Sequence, residues 1–316
     1  MSLIVENAFL FGADGLIQSG DQIWFHFQKY PWHLSCQEKN PGTGMHRRII
    51  ESRLRKGLPD PSESSLLQGT FHSGISPHIY SYYHLLTDLL PHLIDAPKIP
   101  VLVPQFMPQQ FIEFLKQAKF EVRILHEETV QVERLYIPEM AMPEWNFEKV
   151  KKIQTFFENL LPKNSHAGST CAIPVNRIYV SRKLAGKRHL SNEDEFLSLL
   201  KKYKFRKVYL EQMSIIEQVE LFRKASHVIA AHGAGLTNIL FAPADARILE
   251  IRPELSSGQF CFEKLFSLGW HNSEFLVSPV KGKFEIPPEM LNKVLSRWNN
   301  EELSSDTCSK ESRLKL

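Results

Sequence analysis

Strand-like and helix-like segments alternate along the second half of the chain, and this alternation limits the fold more than any other feature. Short apolar runs typical of buried strands occupy residues 177–181, 207–210, 227–231 and 247–251. Segments with helical periodicity or a helix-start pattern lie between them, at residues 191–203, 214–222 and 233–243. Such alternation is typical of a parallel sheet covered by helices. The second half is therefore predicted to be a doubly wound, Rossmann-like domain.

Two helices in this region begin with a pattern typical of a capping box. Ser191 is followed by Asp194, and Ser214 is followed by Glu217. In a capping box the hydroxyl accepts from a backbone N–H three residues later, while the later acidic side chain reaches back. Both serines are therefore predicted to begin helices.

The first half alternates less regularly. Residues 22–27 have a strand-like pattern, residues 57–65 a loop composition, and residues 82–93 a helical period. Further strands are predicted at 101–103, 121–125 and 135–137, and further helices at 108–118 and 146–161. A polar stretch at 162–170 suggests a domain boundary near 165. We expect an α/β domain at 1–165, a second at 166–300 and a disordered tail at 301–316, because the tail is rich in Ser, Lys and Glu.

Composition excludes several classes of protein. The formal net charge is only +3, which argues against nucleic acid as a partner and is compatible with anionic small molecules. The four cysteines share no short spacing, so they indicate neither a structural zinc site nor a disulfide scaffold. Neither a leader peptide nor a long apolar run is evident. We therefore expect a cytoplasmic protein, with peripheral association at the inner face of a membrane left open.

The turn after the third strand of the second half is the sharpest chemical feature. It reads His232, Gly233, Ala234, Gly235, Leu236, Thr237 and Asn238, and it opens a helix. Backbone N–H groups at a helix start can hold a phosphate, and glycines let a ligand approach closely. Thr237 or Asn238 could add a side-chain hydrogen bond. The alternative is a tight strand–helix connection that binds nothing.

The same turn nearly matches the dinucleotide fingerprint GxGxxG. Asn238 stands where the third glycine belongs, and Glu250 is the nearest candidate for a ribose-binding acid. The fingerprint belongs to the first strand–helix turn of a unit, whereas this turn follows the third strand. An NAD(P)-dependent oxidoreductase therefore remains a weaker alternative.

A basic loop follows the first strand of the second half. Arg182 and Lys183 come directly after the strand, and Lys187 lies in the same loop. Open α/β sheets bind ligands at the carboxyl ends of their strands, and a guanidinium can grip a diphosphate through two hydrogen bonds. The alternative is an ordinary solvated loop. Two phosphate-suited segments at strand ends of one sheet favour an anion site.

His84 and Asp88 are four residues apart on the predicted helix of the first half and so face the same way. A carboxylate beside an imidazole can serve as a general base that activates a hydroxyl. His92 extends the row, but no fourth ligand is in view, so we expect no metal site. The alternative is a buried polar pair within a core helix.

Three blocks of the sequence, taken together, resemble glycosyltransferase family 61. They are the run YYHLLTDLLP at 82–91, RIYVSR at 177–182, and the segment from Glu211 to Glu250, which contains HGAGLTN. The resemblance spans roughly residues 70–252. It implies a GT-B architecture of two facing Rossmann-like domains and an inverting enzyme. Such an enzyme needs no metal or cofactor and uses a nucleotide sugar, commonly UDP-linked, as co-substrate.

The resemblance also implies roles for particular residues. Arg182 and the turn 232–238 would hold the donor diphosphate, with Glu211 and Ser214 near the nucleoside and Glu250 near the ribose or the sugar. His84 and Asp88 would face the acceptor. The family usually has an aromatic residue after its histidine, whereas Leu85 stands here.

We therefore predict a transferase that moves a sugar to a glycan, glycolipid or other hydroxyl acceptor, in surface or capsular polysaccharide synthesis. A non-catalytic sugar-nucleotide-binding module is a further alternative. It would bind the nucleotide but never hydrolyse the donor.

Overall fold

The computed structural model describes most of the chain in two compact units, Met1–Leu160 and Leu161–Leu316. The described residues are 3–11, 16–20, 22–25, 28–30, 65–74, 80–127, 129–137, 145–161, 176–254, 261–270, 272–281 and 284–313. The sequence predicts the boundary near residue 165. The loop and linker predicted at 57–65 and 162–170 fall outside the described residues, apart from Ser65.

The first unit contains a sheet of mixed direction. Its strands are β1 (Leu3–Phe11), β2 (Leu16–Ser19), β3 (Gln22–Phe25), β4 (Gln28–Tyr30), β5 (Leu66–Ser73), β6 (Val101–Pro104), β7 (Val122–Leu125) and β8 (Thr129–Ile137). They lie in the order β4-β3-β2-β1-β8-β5-β6-β7 among the described residues. The last four are mutually parallel, whereas β1 to β4 form an antiparallel meander that joins at β8. The prediction of a doubly wound first domain is therefore wrong for the meander, because its short connections leave no room for crossover helices.

The helix predicted at residues 82–93 forms, but it widens in the middle. It consists of α1 (Tyr82–His84), a π-helical turn (Leu85–Leu89) and α2 (Leu90–Asp95). Pro91 lies in the first turn of α2 and has no N–H to donate to the π-helical turn before it. The helices α3 (Gln109–Gln117) and α4 (Phe147–Leu160) complete the described helices of this unit.

The second unit has an entirely parallel sheet. Its strands are β9 (Asn176–Val180), β10 (Arg206–Val208), β11 (Ala225–Ala231), β12 (Arg247–Glu254) and β13 (Ser273–Lys281). They lie in the order β10-β9-β11-β12-β13, and each neighbouring pair is parallel. The direction of connection therefore reverses between β9 and β11. In doubly wound sheets this switch point is where ligands bind, beyond the carboxyl ends of the strands.

Helices and 3₁₀ turns connect these strands. The helices are α5 (Leu197–Lys202), α6 (Ile215–Arg223), α7 (Cys261–Ser267) and α8 (Pro288–Arg313), and the 3₁₀ segments are Glu193–Phe196, Leu210–Gln212 and Ala234–Phe241. One face of the sheet contributes Tyr179, Ile229 and Leu249 to an apolar core that Trp298 closes. This packing fixes the strand ends that carry the candidate site.

One capping box is confirmed and the other is wrong. Ser214 accepts a hydrogen bond from the Glu217 backbone N–H, and the Glu217 carboxylate accepts from the Ser214 N–H. Ser191 does not cap a helix, because its hydroxyl donates instead to the Phe284 carbonyl and to Glu285. A contact this distant in sequence leaves no local pattern.

The sequence predicts a disordered tail from residue 301, whereas α8 continues to Arg313 in the structure. The start of this segment is tied to the sheet by two glutamates. Glu301 pairs with Arg247, and Glu302 pairs with Arg177 and lies 2.9 Å from Nε2 of His227. A polar composition alone indicated disorder, but these partners stabilise the helix. In the part of the chain that the structure describes, no helix is long and apolar enough to cross a membrane.

Candidate functional site

Arg182 and the glycine turn meet at the switch point of the parallel sheet. Arg182 follows β9, the turn follows β11, and these strands are neighbours, with Val180 paired to Ala230. A Cβ built at Gly233 would stand 2.7 Å from Cζ of Arg182 and closer still to Nη1. The guanidinium therefore lies directly on the backbone of the turn.

The two glycines are required by neighbouring side chains rather than by backbone strain. Gly233 has an extended φ of 166°, which any residue can adopt. Its missing Cβ makes room for Arg182, whereas a Cβ at Gly235 would stand 2.8 Å from Cδ1 of Leu210. The sequence suggested that the glycines admit a ligand. In this structure protein atoms fill that space.

The turn opens a 3₁₀ helix, Ala234–Phe241. Its ladder begins with the Leu236 N–H donating to the Gly233 carbonyl at 2.9 Å. The N–H groups of Ala234 and Gly235 precede this ladder, at the half-buried start of the helix. These groups and Arg182 together make an arrangement suited to an anion.

Other members of the turn are buried and support it from within. Leu236, Thr237 and Asn238 have at most 1% exposure. Asn238 donates to the Gln218 side chain and to the Gly235 carbonyl, and Gln218 donates in turn to the carbonyls of Leu210 and Met213. Both side chains are buried in this structure, and donation from Thr237 or Asn238 to a ligand stays a prediction.

The basic loop contributes one oriented cation. Arg182 donates from Nε and Nη2 to the Lys187 carbonyl, at 3.3 and 3.1 Å. Burial and the nearby Arg188 lower the pKa of Arg182, while Glu211 opposes that shift. Lys183 is exposed and lies 3.4 Å from both carboxylate oxygens of Asp194. Lys187 contributes its backbone, and its side chain is exposed.

His232 lies against a buried pair of opposite charges. Its Nδ1 is 2.5 Å from Oε1 of Glu250, and Oε2 of Glu250 accepts from Nε and Nη2 of Arg252 at 2.9 and 2.7 Å. Glu250 is completely buried. A contact between Glu250 and ribose or sugar, as the resemblance implied, needs an accessible carboxylate, and this one lies behind His232. Sequence reasoning missed Arg252, although it lies two residues beyond Glu250 on the same strand face.

Glu211 and Ser214 lie near the start of α6. Glu211 is exposed and close enough to Arg182 to act on its pKa. Ser214 is half-buried and its hydroxyl is used in the helix cap. Contact of either residue with a nucleoside stays a prediction.

The first unit brings His84 and Asp88 together, as the sequence predicted. His84 Nδ1 lies 2.6 Å from Oδ2 of Asp88, and the Thr87 hydroxyl donates to Oδ1 at 2.6 Å. Asp88 is 3% exposed, whereas His84 is half-buried. Asp88 lies in the π-helical turn and His84 directly precedes it, and π turns inside α-helices are frequent at functional sites. The carboxylate can orient the imidazole and balance a charge on it.

Aromatic and cationic side chains that the sequence did not single out adjoin this pair. The Tyr83 ring contacts those of His84 and Trp145 edge to face, with centroids 5.1 and 5.9 Å apart. Lys149 lies 5.8 Å above the Trp145 ring, and burial lowers the pKa of its ammonium group while Asp88 opposes that shift. Lys149 lies more than sixty residues after His84 and Asp88, so no local sequence pattern could predict that it adjoins them.

Among the described residues, His92 does not belong to a cluster of potential metal ligands. Burial, reinforced by Lys149, lowers its pKa to about 4. Within the described ranges, no three His, Cys, Asp or Glu side chains cluster as metal ligands.

The chain is similar in sequence to known glycosyltransferases. The family model for glycosyltransferase 61 matches residues 82–249, more than half of the chain. The chain is also 38% identical over 76 residues to the EGF domain-specific O-linked N-acetylglucosamine transferase of Drosophila melanogaster. That match covers 23% of this chain and 14% of the relative, so the chain matches only a small part of the fly protein. The family match includes both His84–Asp88 and the turn with Arg182. This chain belongs to glycosyltransferase family 61.

Proposed function

We propose that this glycosyltransferase binds the diphosphate of a nucleotide sugar at the carboxyl edge of the parallel sheet. The observation that carries the proposal is the contact of Arg182 with Gly233 at the switch point, beside the start of a 3₁₀ helix. A fixed guanidinium and backbone N–H groups are suited to a diphosphate.

The proposed reaction is a direct displacement with inversion. An acceptor hydroxyl attacks the anomeric carbon of the donor, the bond to the diphosphate oxygen breaks, and the nucleoside diphosphate leaves. Arg182 and the N–H groups of Ala234 and Gly235 stabilise the negative charge that grows on this leaving group. The His84–Asp88 pair takes the proton of the hydroxyl. No metal is needed, because fixed positive groups neutralise the diphosphate.

The donor we propose is UDP-linked, and N-acetylglucosamine is the first sugar to test, since the fly relative is named for its transfer. The acceptor class is a hydroxyl of a glycan, a glycolipid or a polypeptide. We further propose a GT-B arrangement and a cytoplasmic location with peripheral association at the membrane. A role in surface or capsular polysaccharide synthesis is part of the same proposal.

Nucleotide binding tests the donor site first. Isothermal titration with UDP, GDP, CMP and NAD(H), with and without EDTA, should show binding of UDP that EDTA does not abolish. Arg182→Gln should weaken this binding, and Arg206→Gln, a change at an arginine of β10, serves as the matched control. Preferential binding of NAD(H) would favour the oxidoreductase instead.

Turnover then separates an enzyme from a binding module. UDP-N-acetylglucosamine and other UDP-sugars are incubated with the protein, and released UDP is measured with and without candidate acceptors. The anomeric configuration of any product is read by NMR. UDP binding without donor hydrolysis or transfer by any UDP-sugar would leave the non-catalytic module as the better description.

A further inference from the structure

We propose that Arg252 is a positioning residue of the donor site, which acts through Glu250 to orient the imidazole of His232. This inference rests on the proposed function, because it assumes that the turn beginning at His232 binds the donor diphosphate. Arg252 itself is 1% exposed and does not reach the surface where a ligand would lie.

Strand geometry brings the three residues to one face. Glu250 and Arg252 are two apart on β12, so their side chains project to the same side of the sheet. The neighbouring strand β11 pairs Ala231 with Ile251, and the His232 N–H continues this ladder by donating to the Ile251 carbonyl at 2.8 Å. His232 is therefore held beside the glutamate and arginine by backbone hydrogen bonds.

The two oxygens of Glu250 have different partners. Oε1 lies 2.5 Å from Nδ1 of His232, while Oε2 accepts both Nε and Nη2 of Arg252. Arg252 thus fixes the rotation of the carboxylate, and the carboxylate fixes the plane of the imidazole. Without the arginine, the carboxylate could rotate away or bind a water molecule instead.

Further contacts hold the arginine in place. Nη1 of Arg252 donates to Oε1 of Glu263 on α7 at 2.5 Å, and its guanidinium carbon lies 4.1 Å from the centre of the Phe275 ring. The Phe262 ring, also on α7, contacts the His232 ring with centroids 5.5 Å apart. The same helix therefore supports both ends of the chain of hydrogen bonds.

The burial of these charges argues for a role beyond packing. Glu250 and Arg252 are almost completely inaccessible, and a buried ion pair contributes little stability compared with apolar side chains of similar size. Such a pair can, however, fix the orientation of a side chain that it contacts. Here that group is the first residue of the turn, and it retains 13% side-chain exposure.

A double-mutant cycle on UDP affinity tests the inference. Arg252→Lys keeps the positive charge but loses the paired contact with Oε2, so we expect UDP to bind about tenfold more weakly. If Arg252 acts through His232, the same change in the His232→Gln background should alter UDP affinity less than about twofold. Arg247→Lys, at the opposite end of β12 and paired with Glu301, is the matched control and should leave affinity unchanged.

The outcomes separate this inference from the proposed function. A wild-type protein that does not bind UDP overturns both. Wild-type binding with equal weakening by Arg252→Lys in the two backgrounds shows a general structural effect and overturns the inference alone. A folded Arg252→Lys protein that binds UDP as tightly as the wild type also overturns the inference alone. If Arg252→Lys fails to fold, Glu263→Ala removes the arginine's exposed support and should weaken UDP binding only while His232 is present.

The unliganded protein offers a second readout that needs no nucleotide. With ¹⁵N-labelled histidine, the Nδ1 proton of His232 should give a resonance shifted downfield by its hydrogen bond to Glu250. Arg252→Lys should shift or broaden this resonance, whereas Arg247→Lys should not. An unchanged His232 resonance in a folded Arg252→Lys protein would contradict the positioning role.

Discussion

The guanidinium of Arg182 occupies the space that a side chain at Gly233 would need. The two residues are fifty-one apart in the sequence but follow neighbouring strands of the parallel sheet. The contact therefore joins the basic loop and the glycine turn into one cationic surface. It also makes the site sensitive to one methyl group.

Gly233→Ala is expected to weaken UDP binding while the fold survives. The added Cβ meets the movable end of the arginine side chain, and the extended φ of 166° is allowed for alanine. A displaced Arg182 loses hydrogen bonds to the diphosphate that contribute roughly 1.5–3 kcal/mol, so the affinity should fall about tenfold or more. Titration calorimetry measures this change. Gly186→Ala is the control, because Gly186 lies in the basic loop with Arg182 and an added Cβ there meets nothing within 4 Å.

Gly235→Ala should instead destabilise the unit. Its Cβ would press on Leu210, a buried residue, and overpacking of this kind costs roughly 1–3 kcal/mol. The midpoint of thermal unfolding should fall for Gly235→Ala and stay nearly unchanged for Gly233→Ala. Equal unfolding midpoints for the two variants would contradict the packing described for the turn.

Asp88→Asn should reduce sugar transfer without changing nucleotide affinity. The amide can still accept from Thr87, but it cannot balance a positive charge on His84, so turnover should fall by roughly 10²–10⁴-fold. Asp95→Asn, at the exposed end of α2 where Asp95 pairs with Lys152, is the control. Near wild-type turnover by Asp88→Asn would remove this carboxylate from the proposed base.

The stability of the protein should fall as the pH decreases from about 6.5 to about 4. Burial lowers the pKa of His72 from the ordinary histidine value of 6.5 to about 4. Between these values the unfolded chain binds the proton and the folded chain does not. The free energy of unfolding therefore decreases by up to about 1.4 kcal/mol per pH unit for this histidine.

Urea unfolding at pH 7, 5.5 and 4.5 measures this slope. His72→Gln should make it shallower. Tyr136→Phe is the control, because it changes a ring whose centroid lies 5.3 Å from that of His72 but keeps the histidine. It should leave the slope unchanged. The remaining slope includes His92 and His227, whose pKa values burial lowers to about 4 and about 3.

Glu302→Gln should destabilise the second unit. Arg177 is 6% exposed and pairs with Glu302, and loss of one partner of a buried ion pair costs about 3–5 kcal/mol. The half-exposed position of Glu302 places the expected loss of unfolding free energy at the lower end of that range. Glu289→Gln, an exposed change in the first turn of α8, should have little effect. Chemical denaturation compares the two variants.

Local patterns predicted β9 to β12 and the helices α5 and α6 of the second unit, but not β13, α7 or α8. The apolar runs in β9, β11 and β12 and the capping box at Ser214 required only neighbours in sequence. The sequence also predicted a helix after the glycine turn, without distinguishing an α-helix from the 3₁₀ helix that the structure shows. The difference between these helices is one hydrogen-bond register, which the residue pattern does not specify.

Contacts between distant segments could not be predicted in the same way. The burial of Glu250 depends on strand order, since β11 places His232 beside it and α7 brings Glu263 to Arg252. The ordered start of the tail depends likewise on Arg177 and Arg247. In the first unit, the strand-like pattern at 22–27 matches β3, whereas β1, β2 and β4 were not predicted.

The position of β11 beside β9 has a consequence for synthesis. During synthesis β9 and Arg182 are made first, and β10 and α6 follow. Only then is β11 made, the strand that leads into the glycine turn beside Arg182. A nascent chain released before residue 232 would carry the cation without its turn. The capacity to hold a donor should thus arise in a single late step, when β11 docks against β9, rather than accumulate as the domain emerges.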